Sequence, residues 1–338
     1  MTTSSSGGTD GVRAERPAPA EAADHAATIG RLISAIGTAV LGRPEAVRLA
    51  VVALLCEGHI LIEDVPGVGK TRLARAVAAC VGGEHRRVQF TPDLLPSDLT
   101  GVNVFNQATR EFDFHAGPVF ANVVVADEIN RAAPKTQSAL LEAMEERLVT
   151  VDGVRYAVHD PFLIVATQNP VELDGTYRLP EAQLDRFLVR LSLGYPDEDT
   201  EVAIMRGTSL AVPERLGPVL DQAALRRVRA AVQRVHVSEA VYRYIAGLAA
   251  ATRAHPRLRL GVSPRASASL ARAARAYALS RGRAYVVPED VDLLAAPVWE
   301  HRLVLTSEAL VGGATGAGVL ADVLAAVPAP QPERAAAR

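Results

Sequence analysis

Cysteine is almost missing from this chain: Cys56 and Cys80 are the only two in 338 residues. Each lies in an apolar stretch that reads as helix. Two such thiols make neither a disulfide framework nor a metal site, and read as small buried hydrophobes. Aromatic residues are scarce as well, at 4% with a single tryptophan, so the core has to be built mainly from Ala, Leu and Val. No apolar run reaches the ~18 residues that a membrane span needs, and no membrane insertion is expected. The stretch Met1–Asp10 is polar and Ser/Gly-rich, without the apolar segment of a secretory signal, so the cytoplasm is the expected compartment. An excess of one charge is lacking too: 36 Lys and Arg stand against 38 Asp and Glu, a formal net charge of −2. That balance argues against a nucleic-acid partner, which calls for a basic face. The eight histidines are scattered, with no ligand spacing among them.

What is present is an ordinary globular composition, 49% hydrophobic and 22% charged, in a chain long enough for two domains. Residues 1–25 are rich in Ser, Gly, Pro and Ala and read as a disordered tail, as do residues 328–338. Between them the character changes near Pro196. In residues 26–195 short apolar runs alternate with helical patterns, the mark of an α/β unit with a parallel sheet. In residues 196–327 helical periodicity takes over, which predicts a smaller helical domain. Five runs read as buried strands: Ile60–Glu63, Arg87–Phe90, Val123–Ala126, Phe162–Ala166 and Phe187–Leu191. Leu148–His159 alternates around Asp152-Gly153, a type I′ hairpin turn. Ser263-Pro264 opens a helix, with Ser as cap and Pro at the first position. Leu270, Ala274, Tyr277 and Ala278 form its apolar face. Pro288 with Glu289 and Asp290 opens another.

The chemistry is concentrated in a few short segments. Pro66-Gly67-Val68-Gly69-Lys70-Thr71 lies between a strand and the helix Arg72–Cys80. Glycines there let backbone N–H groups cradle phosphate oxygens at a helix N-terminus. Lys70 can reach the β- and γ-phosphates, the Thr71 hydroxyl can ligate Mg²⁺, and Arg72 is counted with the nucleotide-binding set. One departure stands out: Asp64 occupies the place usually held by the first glycine of such loops. Val123–Glu128 ends a strand on two carboxylates. Asp127 is placed to hold Mg²⁺ through its water shell, and Glu128 to polarise the attacking water. The competing reading is a simple helix cap. Asn169, just after the next strand, could hydrogen-bond the γ-phosphate or the lytic water. Arg186, ahead of the fifth strand, could act as a finger in a neighbouring subunit's nucleotide; the alternative is an ion pair with Asp185 or Glu181. Arg265 sits in the first turn of the Ser263-capped helix, where a cation is locally unfavourable unless a phosphate arrives; the alternative is a solvated surface arginine.

In this order these residues resemble the MoxR family of AAA+ ATPases, over roughly residues 30–327. The resemblance rests on Glu63–Thr71, Phe90–Asp98, Gly117–Phe120, Ala126–Arg131, Ala166–Pro170, Ser263–Ala266 and Val287–Val291. It implies a P-loop NTPase core with a parallel five-stranded sheet and a C-terminal α-helical lid. By family role Lys70 and Thr71 belong to Walker A, Asp127 and Glu128 to Walker B, Asn169 is sensor 1, Arg186 the finger and Arg265 sensor 2. Gly42-Arg43 resembles the segment approaching the adenine, Thr100–Phe120 the helix-2 insert, and Leu148–His159 the hairpin before sensor 1. ATP and Mg²⁺ are the implied cofactors. The implied partners are further copies of the chain in a ring, usually a hexamer, a von Willebrand A-domain protein and a client protein complex. Two rival functions share the motifs: an ATPase subunit of a metal-chelatase complex, and a nucleotide-gated scaffold that binds ATP without turnover.

Overall fold

The computed structural model describes residues 16–64, 67–168, 177, 179–206 and 212–331. All five expected strands are present: β1 (His59–Glu63), β2 (His85–Gln89), β3 (Val123–Asp127), β4 (Leu163–Gln168) and β5 (Phe187–Leu191). They pair in parallel in the order β2-β3-β4-β1-β5. Their near-continuous apolar sequences follow from burial on both faces. Alternate residues serve the two layers. Ile60, Ile62, Val123, Val125, Leu163 and Val165 join one apolar cluster, while Leu61, Val124, Ala126, Ile164 and Ala166 join the other.

The first layer is built by helices α1 (Pro19–Ala39), α2 (Pro44–Leu55) and α3 (Lys70–Cys80). The second is covered by α4 (Pro134–Glu146), whose Leu140, Leu141 and Met144 face the sheet. Cys56 and Cys80 are both buried and form no disulfide, and burial pushes their thiols up to about 12 and about 11.

Residues 19–25, read from composition as part of a disordered tail, are helical. Helix α1 starts at Pro19, which takes a first-turn position where its missing N–H costs nothing. Ala22, Ile29, Leu32 and Ile36 are fully buried, and Glu21 pairs with Arg234. An Ala- and Pro-rich stretch looks like linker by composition, yet Ala is the strongest helix former and the stripe finds a partner surface. The structure also contains an antiparallel hairpin that periodicity alone had not marked, Gly101–Asn106 paired with Glu111–Ala116, within the insert segment. The second hairpin, Leu148–Val151 with Val154–Ala157, turns at Asp152 and Gly153, both at positive φ.

The second half contributes α5 (Gln222–Arg234), α6 (Glu239–Ala254), α7 (Pro264–Ser280), α8 (Pro288–Trp299) and α9 (Gly316–Ala326). Ser263 caps α7 by accepting from Ala266 N, and the face with Leu270, Ala274, Tyr277 and Ala278 is buried as its spacing requires. The apolar cluster runs without interruption from α1, α2 and α3 into α5, α7 and α8. Buried charges bolt the halves together. Arg229 on α5 donates to Leu54 O and pairs with Asp160 at 2.8 Å. Arg302 pairs with Asp185 at 2.7 Å and donates to Phe187 O at 2.8 Å.

Asp64 has a structural task that explains why no glycine stands there. It is 8% exposed, and its carboxylate accepts from Leu193 N, from Gly194 N at 2.9 Å and from Ser192 Oγ at 3.2 Å. It therefore ties the start of the phosphate loop to the segment leaving β5. Asp64→Gly, although it restores the usual loop residue, is expected to cost about 3 kcal/mol by leaving buried N–H groups unpaired, read as a lower urea midpoint. A variant as stable as the parent would contradict this.

His59, the first residue of β1, is buried. Its Nδ1 accepts from Ile164 N at 3.0 Å, so Nε2 carries the proton that faces Met144 O at 3.2 Å. Burial pushes its pKa down to about 3, and burial also holds His301 well below the ordinary value. A depressed folded pKa means the unfolded chain binds more protons below the ordinary histidine value. Stability is thus fully present above about pH 6.5 and is lost as pH falls toward 3. Between pH 7.5 and 5, His59 alone is expected to remove about 2 kcal/mol. Urea unfolding of the parent and of His59→Gln at both values checks this, the variant losing less on acidification.

Candidate functional site

β1 ends at Glu63 and α3 begins at Lys70, so the chain must turn sharply at the C-terminal edge of the sheet. Gly67 and Gly69 do so at φ 88° and 98°. A Cβ at either would meet nothing within 4 Å, so glycine is required for its backbone freedom rather than for room. The turn brings N–H groups and the positive end of α3 to one place. Lys70 Nζ donates to Asp64 O at 2.8 Å. Burial lowers the Lys70 pKa, and Asp64, Asp127 and Glu128 counter that by favouring its charge. Val68 packs its side chain onto the apolar core. Pro66 and Asn169 lie outside the described residues.

Two strands away β3 delivers Asp127 and Glu128 to the same edge. Asp127 is buried and Glu128 sits in the left-handed region at φ 56°, uncommon for a residue with a side chain. Neighbours hold that conformation. Glu128 N donates to Thr167 Oγ1 at 3.0 Å, and the same hydroxyl donates to Asp127 Oδ1 at 3.1 Å. Gln89 Nε2 donates to Glu128 Oε2 at 2.7 Å, and Arg131 Nε lies 3.1 Å from that oxygen. Arg87, on the same face of β2 as Gln89, pairs with Asp127 at 2.5 Å. Gln89, Thr167, Arg87 and Arg131 were not singled out from the sequence. Only their register on β2 and β4, and the turn after Glu128, brings them here.

A cavity of about 530 Å³ joins these groups, lined by Gly67, Gly69, Lys70, Thr71, Arg72, Asp127, Glu128 and Thr167. Its volume and its cationic floor suit a nucleoside triphosphate. Thr71 and Asp127 offer one hydroxyl and one carboxylate, hard oxygen donors. Among the described residues no cluster of three or more His, Cys, Asp or Glu could hold an ion. A hydroxyl and a carboxylate fit Mg²⁺, which keeps most of its shell as water and phosphate oxygen. Arg72 Nε also donates to Ala39 O at 2.7 Å.

Three predicted site residues stand elsewhere. Arg43 does not line the cavity; it donates to Gly42 O and Tyr195 O beside the segment leaving β5. Arg186 and Arg265 are ion-paired, neither with Asp185 or Glu181 nor with water alone: both bind Glu145, at 2.8 Å each. Arg186 precedes β5, at the sheet edge opposite the phosphate loop, because β5 is parallel to β1 with Phe187 level with His59. One strand length, roughly 16 Å at ~3.3 Å per residue, separates it from the loop.

Comparison with known proteins agrees with this geometry. Residues 59–189 match the family described as ATPase family associated with various cellular activities, and residues 250–322 match its lid domain. The chain is 46% identical over 303 residues to the uncharacterized protein YeaC of Bacillus subtilis, covering 89% of this chain and 95% of that one. It is 42% identical over 315 residues to the chaperone MoxR1 of Mycobacterium tuberculosis, covering 90% and 83%. The crystal structure of a putative ATPase from Cytophaga hutchinsonii superposes with a TM-score of 0.85 at 36% identity, covering 92% of this chain and 97% of that one. With a loop ending in Lys70-Thr71 opposite an acidic strand tip, a helical second half, and relatives matched over nearly their whole length, the chain belongs to the MoxR family of AAA+ ATPases.

Proposed function

We propose that this protein is a Mg²⁺-dependent ATPase that works as a ring of copies, usually a hexamer in its family. Turnover would remodel or mature partner complexes in the cytoplasm, in company with a von Willebrand A-domain protein. The observation that carries the reading is the convergence of Lys70, Thr71, Asp127 and Glu128 on one cavity. Among the described residues no helix is long and apolar enough to cross a membrane.

In this reading the backbone around Gly67–Thr71 and the Lys70 ammonium grip the terminal phosphates. Thr71 and Asp127 would hold the metal, which would supply positive charge against the phosphates. Glu128, fixed by Gln89 and Arg131, takes a proton from the attacking water. Thr167 keeps both carboxylates aimed by hydrogen-bonding one and receiving the other's N–H. Asn169 is assigned the lytic water or γ-phosphate. Arg186 and Arg265, far from their own cavity, are assigned to the nucleotide of the adjoining copy, where they stabilise transition-state charge. Arg43 is assigned to the nucleotide's base end.

Client contact is assigned to the two hairpins. Phe114 stacks on Tyr156 with ring centres 4.0 Å apart, and Asn103 bonds Asp152 at 2.7 Å, so insert and second hairpin form one unit. Its tip leaves Phe112 69% exposed beside Phe105, an apolar end with no partner inside the chain's core.

Glu128→Gln is expected to keep nucleotide affinity while phosphate release drops at least ~10²-fold, and unchanged turnover would remove Glu128 from the mechanism. Lys70→Ala is expected to lose nucleotide binding, measured with a fluorescent ATP analogue. Thr167→Val, which keeps shape and deletes the hydroxyl, should lower kcat about tenfold with KM little changed, since it loosens the aim of Glu128 rather than the phosphate grip. Native mass spectrometry with and without Mg²⁺ and ATP reads the assembly; a chain that stays monomeric in both would contradict the ring.

A further inference from the structure

We propose that Glu145 is a positioning residue that sets Arg186 and Arg265 side by side, so that both reach one phosphate group held by a neighbouring copy. The proposal rests on the ATPase reading above.

The two arginines come from different halves of the chain. Arg186 stands ahead of β5 in the α/β unit, and Arg265 in the first turn of α7 in the helical part. Two guanidinium groups brought together repel each other, and nothing in their own elements holds them in pair. Glu145 does: its Oε2 takes Arg186 Nε at 2.8 Å and its Oε1 takes Arg265 Nη1 at 2.8 Å. Each arginine meets it through a single nitrogen in these contacts, not through the two-nitrogen fork that a phosphate also recognises.

The obvious partner of Arg186 in sequence is engaged elsewhere. Asp185 accepts from Arg302 Nε at 2.7 Å and from Ser263 Oγ at 3.3 Å. That arrangement locks the start of α7 to the start of β5 and leaves Glu145 as the carboxylate on which the pair converges. Side-chain exposures of 26% for Arg186, 49% for Arg265 and 34% for Glu145 keep the group open to an incoming anion. Hydrogen bonding to Arg186, with Arg265 beside it, holds the Glu145 carboxyl below the usual range, so it stays an anion near neutrality.

Glu145 also stands at a telling place in its own helix. α4 begins at Pro134, three residues after Arg131, which pairs with Glu128. Gln137 in its first turns donates to Ile129 O and Ala132 O, both at 3.1 Å, fastening α4 to the acidic strand tip. From Pro134 the helix runs ~16 Å to Glu145 at ~1.5 Å per residue. One rigid element thus joins a chain's own water-activating carboxylate to the arginines it offers its neighbour.

The test uses the full chain. Glu145→Ala and Glu145→Gln are expected to lower kcat about tenfold, with KM for ATP and the affinity for a fluorescent ATP analogue within twofold of the parent. Adding Glu145→Ala to the Arg186→Ala/Arg265→Ala double variant should cost nothing further, because residues acting as a unit are not additive. Mixing E145A copies with an excess of K70A copies should restore turnover per E145A chain, since the K70A neighbours carry an intact Glu145 and their arginines face the E145A cavities. Turnover of E145A and E145Q within twofold of the parent, a further loss in the triple variant, or no recovery on mixing would each overturn the assignment. If E145A is poorly folded, E145Q carries the same comparisons. A parent with no phosphate release would sink the ATPase reading along with this one, whereas an active parent with indifferent Glu145 variants sinks only this one.

Discussion

Everything chemical in this molecule depends on five strands that run the same way. Parallel pairing puts the C-terminal ends of β1, β3 and β4 along one edge. That edge receives the Gly67–Thr71 turn, the Asp127-Glu128 pair and Thr167. The same pairing puts the start of β5, with Arg186 just ahead of it, along the other. Arg186 and the Gly67–Thr71 turn, on opposite edges, lie about one strand length apart within one chain. The sheet's direction therefore carries both the concentration of groups in the cavity and the separation of the two outlying arginines from it.

The edge is held by polar contacts whose cost is met by the apolar layers beneath. Glu128 in a left-handed conformation stores on the order of 1 kcal/mol or more. It stays there because Thr167, Gln89 and Arg131 each fix one of its groups, over strands buried on both faces except at Gln168. Asp64 adds the same kind of constraint on the far side of the phosphate loop. Through it the loop is bonded to the segment that leaves β5 and leads to the helical half. A displacement of that half thus has a hydrogen-bonded route to the phosphate loop at one end, and to Arg265 through the Ser263–Asp185 contact at the other.

Much of this was readable along the chain. Buried strands announce themselves as apolar runs, and each of the five was placed within two residues of its observed ends. Ser263-Pro264 and Pro288 opened helices because capping and proline placement are local effects. Local signals failed where the partner surface decided. α1 begins at Pro19 because the helix packs on α7 and Glu21 pairs with Arg234, which composition cannot foresee. The insert hairpin went unmarked even though Glu111-Phe112-Asp113-Phe114-His115 alternates, because its strands are mostly exposed and no buried face accompanies the alternation.

The residues assigned to phosphate chemistry lie in contiguous motifs, since a turn between a strand and a helix needs glycines at set places and a strand tip needs its carboxylates next to each other. The sequence by itself determined those, together with the fold class and the helical second half. Only the tertiary structure decided what aims them. Gln89 lies 39 positions from Glu128, Thr167 lies 40 from Asp127, and Glu145 lies 41 from Arg186 and 120 from Arg265. Contacts over such separations depend on sheet register and on the docking of one helix against another. No local preference of the chain encodes either, because each is a sum over the whole buried core.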